Sequence, residues 1–123
     1  MKMWMILAAL VLAATVANGQ TAPPSPSPAS APQGNAETGK KLWTSIGCYQ
    51  CHGLLGQGSS ATGPRLGPKP IAWAAFNRYV RRPTNQMPPY TDKVLSDADL
   101  AHIYAFVQAL PAPTPVANIP LLK

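Results

Sequence analysis

Apolar residues recur at helical spacing in three stretches of this chain, and no run alternates residue by residue as a half-buried strand would. The first stretch predicts a helix over 36–46. Leu42 and Ile46 stand four apart, with Trp43 beside them. Asn35 can cap its start, Glu37 lies at the positive end of its dipole, and Gly47 suits its end. The second predicts a helix over 70–82. Pro70 fits a first helical position. Ile71, Ala75 and Tyr79 form a stripe flanked by Phe76 and Val80. Arg81 and Arg82 suit the negative end, and Pro83 stops the helix. The third covers 97–110. Ser96 and Asp99 have the spacing of a capping box, with Asp in place of Glu. Leu100, Ile103, Phe106, Val107 and Leu110 fall within about 120° of one another on a helical wheel. His102 lies off that stripe, near its polar side, the position of an exposed histidine rather than of a metal ligand. The expected fold is all-α, with three main helices.

The flanks read differently. Lys2 followed by an apolar run over 3–17 and small residues at Ala17 and Gly19 has the layout of a secretory signal peptide. Cleavage after Ala17 and after Gly19 both fit, so residues 1–19 are assigned to it. An uncleaved anchor is the rival. Fifteen helical residues span about 22 Å, short of a ~30 Å hydrocarbon core. The expectation is a periplasmic or otherwise exported protein, held on a membrane only if this segment stays attached. Residues 20–34 are rich in Pro, Ser and Ala and carry no charge. Such a stretch cannot bury enough surface to order itself and reads as a disordered, semi-extended linker. Residues 111–123 form a Pro-rich tail. The domain between them, 35–110, is small for a core made of side chains alone.

Charge adds little about fold and something about partners. The chain has 10 Lys and Arg against 4 Asp and Glu. Losing Lys2 with the signal leaves a net charge of +5. A basic surface can steer a protein toward an acidic partner. Lys40, Lys41, Lys69, Arg81, Arg82 and Lys93 are candidates for that rim. Nothing in the chain matches a nucleic-acid module. The glycines of the loop over 53–69 do not form a phosphate loop, because no Gly-Lys-Ser/Thr ending follows them. They permit close passage of the backbone past a flat ligand.

The candidate chemistry sits at Cys48-Tyr49-Gln50-Cys51-His52, which holds both cysteines of the chain. Cysteines three apart can add their thiols across the two vinyl groups of a haem, and the following histidine can bind the iron. This spacing reads as a c-type haem attachment site. A thiol-redox pair belongs beside a βαβ pattern, absent here. A disulfide between the two would close a tiny loop and stabilise little. Zinc needs four ligands, and His102 is the single further histidine. A covalently held haem c would also supply the apolar core that so short a domain lacks.

Haem iron takes a second axial ligand or keeps an open position. Methionine sulfur is a common choice and raises the reduction potential. Of four methionines, Met1, Met3 and Met5 lie in the signal segment, which leaves Met87. It precedes Pro88 and Pro89, which stiffen the chain and hold the sulfur at low entropic cost.

Taken together, Gly39 and Trp43, Cys48-x-x-Cys51-His52, Gly63-Pro64-x-Leu66, Met87-Pro88-Pro89-Tyr90 and Ile103-x-Ala105-Phe106-Val107 resemble, in order, the small class I c-type cytochromes. The resemblance spans about 36–110. It implies a cytochrome c-like fold and haem contacts from Cys48, Cys51, His52, Pro64, Leu66 and Met87, with His52 and Met87 on the iron. It also implies that the first and last helices cross where Gly39 and Trp43 meet Phe106, a residue that is often Tyr in the family. The carbonyl of Pro64 would accept a hydrogen bond from Nδ1 of His52, leaving Nε2 for iron. The expected function is that of a carrier of single electrons between redox proteins, free or as the electron-transfer subunit of a dehydrogenase or oxidase, and not itself an enzyme. The alternative is a haem sensor or enzyme with an open iron position, which requires Met87 to be off the iron.

Overall fold

Local caps and one close helix crossing organise the chain in the computed structural model, which describes residues 31–122. The predicted signal segment and the linker up to residue 30 lie outside the described residues. Asn35 caps α1 (Ala36–Ile46), its side chain accepting from the Thr38 N–H at 2.9 Å. Gly47 ends α1 in the left-handed region, with φ 91°. A single turn, α2 (Tyr49–His52), follows at once. After a long loop come α3 (Trp73–Arg81) and α4 (Asp97–Ala109). Ser96 and Asp99 close a reciprocal cap on α4. The Ser96 hydroxyl accepts from the Asp99 N–H at 3.1 Å and donates to the Asp99 carboxylate at 2.8 Å. Two 3-10 turns, Val116–Asn118 and Pro120–Leu122, lie in the tail, which exposes Val116, Leu121 and Leu122. The described residues contain no strand beyond one isolated bridge between Ser59 and Gly63.

The core is the seam between α4 and the other two long helices. At Gly39 a Cβ would run into the carbonyl of His102 and come within 2.9 Å of Phe106 Cβ. Only glycine lets α1 lie that close to α4. One turn on, Trp43 is buried with its ring 5.7 Å from that of Phe106. On the other side of α4, Tyr104 meets Phe76 at 5.0 Å and Trp73 at 5.4 Å, both edge to face. Leu95, Leu100, Ile103 and Val107 fill the middle and are all but fully buried. Side chains of this size stabilise by about 1.5–3 kcal/mol each when buried.

Four expectations are corrected. Helix α3 begins at Trp73 rather than Pro70. The Ile71 carbonyl accepts from the Tyr104 hydroxyl at 3.0 Å, and Ala72 is the extended cap residue. That shift changes the buried stripe. Trp73, Phe76 and Val80 face inward, while Ile71 and Tyr79 are exposed. Helix α4 stops one residue early, with Leu110 as its extended cap. His102 is half-buried, and its Nδ1 accepts from the Asn35 N–H at 2.8 Å. It therefore ties α4 to the start of α1. The predicted linker is described from residue 31. There Ala31 packs against the core, and Gly34 lies so close to α4 that a Cβ would strike the carbonyl of Ala101.

Candidate haem site

The αL residue Gly47 turns the chain directly into α2, and that single turn sets the donors. The amide of Gln50 bonds to the Gly47 carbonyl at 3.1 Å, and that of His52 to the Cys48 carbonyl at 3.1 Å. Residues three and four apart on a helix share a face. The turn therefore puts Cys48, Cys51 and His52 on one side. Both cysteines are free thiols, Cys48 half-buried and Cys51 exposed. Burial pushes the Cys48 thiol up to about 11.

The turn is held from three directions. The Trp43 indole N–H donates to the Gly53 carbonyl at 3.0 Å, just past His52. The Thr62 hydroxyl donates to the Cys51 carbonyl at 2.7 Å. The Gly58 N–H donates to the His52 carbonyl at 2.8 Å. His52 itself is 8% exposed. Its Nδ1 lies 3.0 Å from the Pro64 carbonyl. A carbonyl can only accept, so Nδ1 carries the proton and Nε2 keeps its lone pair. Gly63 makes room for this ring, since a Cβ there would come within 3.0 Å of His52 Cε1 and Nδ1.

Two cavities meet at Cys51, His52, Phe76, Val80 and Met87. The smaller is walled by Trp43, Cys48, Tyr90, Leu95, Leu100 and Ile103 among others. The larger, of about 1050 Å³, opens between the 59–66 loop, with Pro64 and Leu66, and the 84–87 segment. Met87 is half-buried and lines both. Its loop leaves α3 and returns where the Tyr90 N–H bonds to the Val80 carbonyl at 3.1 Å. The end of the loop lies beside the thiols, since Tyr90, Cys48 and Cys51 line the same smaller cavity, and burial with the nearby cysteines pushes the Tyr90 hydroxyl above its ordinary range. The cleft thus brings together two thiols, an imidazole with a bare Nε2, a thioether and largely apolar walls. That donor set fits a flat, apolar, iron-bearing group attached by sulfur.

The Thr62 hydroxyl and the Trp43 indole N–H act on this site without a sequence signal that marks those bonds. Thr62 reads as one of many loop residues, and Trp43 enters through the resemblance as a packing residue of the helix crossing. His102 is taken up by Asn35, so among the described residues it plays no part in the cleft.

A small helical domain with this cleft is a monohaem c-type cytochrome, a haem-based electron-transfer module that works with redox protein partners. The family model described as Cytochrome C oxidase, cbb3-type, subunit III matches residues 34–107, and the chain belongs to that family. No curated protein and no solved structure matches it. It carries one covalent haem c, for which Cys48 and Cys51 have the attachment spacing.

Proposed function

We propose that the protein is an exported carrier of single electrons in which His52 Nε2 and the Met87 sulfur hold the iron, with residues 1–19 removed on export. The observation that carries this is the Nδ1–H of His52 pinned on Pro64 while Met87 lines the same two cavities. When bound, the haem supplies one-electron exchange between Fe(III) and Fe(II). The chain orients the imidazole, presents one thioether and walls the group with apolar side chains. With both residues on the iron, no position is open to a substrate, in keeping with a carrier rather than an enzyme. Pro64 acts through His52, and Leu66 lines the larger cavity. The family description names an oxidase subunit, so an oxidase complex is one partner that this reading admits, beside a free carrier. Basic residues near the cleft favour an acidic docking surface on that partner.

The test is Met87→Ala in protein matured with haem. The ferric wild type should show the far-red charge-transfer band of methionine-bound iron. The variant should lose that band, show a lower reduction potential, and bind cyanide or carbon monoxide readily. An unchanged spectrum and potential would remove Met87 from the iron and leave a sensor or enzyme with an open position.

A further inference from the structure

Arg81 projects from the last turn of α3, and its side chain is only 17% exposed. It does more than complement a helix dipole. Nη1 donates to the Tyr90 carbonyl at 2.9 Å and to the Leu95 carbonyl at 2.6 Å. Nη2 donates to Asp97 Oδ1 at 2.6 Å, an oxygen that also accepts from Asn77 Nδ2 at 2.9 Å. Asp97 opens α4. These two donors hold the Asp97 carboxyl below its usual range. One side chain therefore joins the end of α3, both ends of the 90–95 segment and the start of α4.

The segment it closes is the one that bears Met87. Residues 82–89 leave α3 and return at Tyr90, where two bonds form the base of the loop. One is the Tyr90 N–H to the Val80 carbonyl, and the other is Arg81 to the Tyr90 carbonyl. Within the loop, Asn85 adopts φ 61°, and the Tyr79 hydroxyl lies 3.0 Å from Thr84 Oγ1. We infer that Arg81 is a positioning residue that keeps the Met87 loop closed, and so decides how often the sulfur leaves the iron. The inference rests on the reading of Met87 as an iron ligand.

The two kinds of bond that Arg81 makes differ in weight. Asp97 is 69% exposed, and exposed ion pairs contribute little. The carbonyls of Tyr90 and Leu95 are half-buried or buried residues' groups, and losing a charged donor leaves them unsatisfied. Lysine cannot replace the fork, because its ammonium is one compact point of charge. The carbonyl bonds should therefore matter more than the ion pair.

Exogenous imidazole competes with methionine sulfur for ferric iron, so its apparent affinity reads the fraction of open loop. In haem-loaded protein, well below the melting temperature, Arg81→Leu should raise that affinity at least about tenfold. Arg81→Lys should fall between it and wild type. Asp97→Asn should change it by less than about fivefold. Far-ultraviolet dichroism at the same temperature should stay native. A merely structural role would lower the melting temperature and leave imidazole affinity and reduction potential alone. If Arg81→Leu does not mature, Arg81→Lys carries the test. Wild-type imidazole affinity in the matured Arg81 variants, or a larger effect from Asp97→Asn, overturns the inference. Met87→Ala separates the two failures. If that variant keeps the wild-type spectrum, the ligand reading falls and this one with it. If it changes the spectrum while Arg81 variants bind imidazole like wild type, the positioning role alone falls.

Discussion

The proton on His52 Nδ1 fixes what each nitrogen of that ring can do. Nδ1–H donates to the Pro64 carbonyl, and Nε2 keeps its lone pair inside the cleft. The two cysteines beside it are not equivalent. Cys48 is half-buried with its thiol raised by burial, whereas Cys51 is exposed. Both are needed for a doubly attached haem, because the chain has no other thiol. Haem should therefore stay with the polypeptide through denaturing gel electrophoresis, seen as in-gel peroxidase stain. Cys51→Ala should leave little stable holoprotein, since one thioether and a small core remain to hold the fold. Complete extraction of haem from the wild type by acid-acetone would contradict covalent attachment.

At the level of elements, the crossing of α1 over α4 is set by Gly39. Adding one methyl there drives it into the His102 carbonyl and against Phe106. Backbone cannot yield as a flexible side chain can. Gly39→Ala should destabilise the holoprotein by about 1–3 kcal/mol or more, a loss of several degrees in melting temperature for a domain of this size. A melting curve that overlays the wild type would show that the helices slide apart at no cost. The features readable from sequence are those settled within a few residues. Asn35 and the Ser96–Asp99 pair cap their own helices, Gly47 ends α1, and Cys48, Cys51 and His52 lie on one turn. Met87 emerges by elimination from the composition. What sequence does not reveal is settled by distant partners. The start of α3 depends on a Tyr104 hydroxyl 33 residues away. Arg81 finds its acceptors 9, 14 and 16 residues on. Pro64 enters only through resemblance, because nothing local marks its carbonyl as the acceptor for His52. The four-residue α2 is too short to show any period.

Across the whole molecule, the surface charge is lopsided. Of the basic residues expected on a docking rim, Lys40, Lys41, Lys69, Arg82 and Lys93 are exposed. Arg81 is withdrawn from that set, being largely buried and paired with Asp97. Lys69 and Arg65 border the larger cavity. The four acidic residues are Glu37, Asp92, Asp97 and Asp99. Asp97 is paired with Arg81, which leaves Glu37, Asp92 and Asp99 as the negative charges set against the rim. Rim charges act chiefly on the association rate, through attraction that salt screens over about 8–10 Å at moderate ionic strength. Second-order electron transfer to an acidic acceptor should therefore slow as salt rises. Lys69→Glu should slow it at low salt and flatten the salt dependence, while leaving the reduction potential near that of the wild type. Stopped-flow oxidation of the reduced protein measures both effects. A rate constant flat from about 10 mM to about 0.5 M salt, across which the screening length falls several-fold, would mean that these lysines and arginines serve only to keep the surface hydrated.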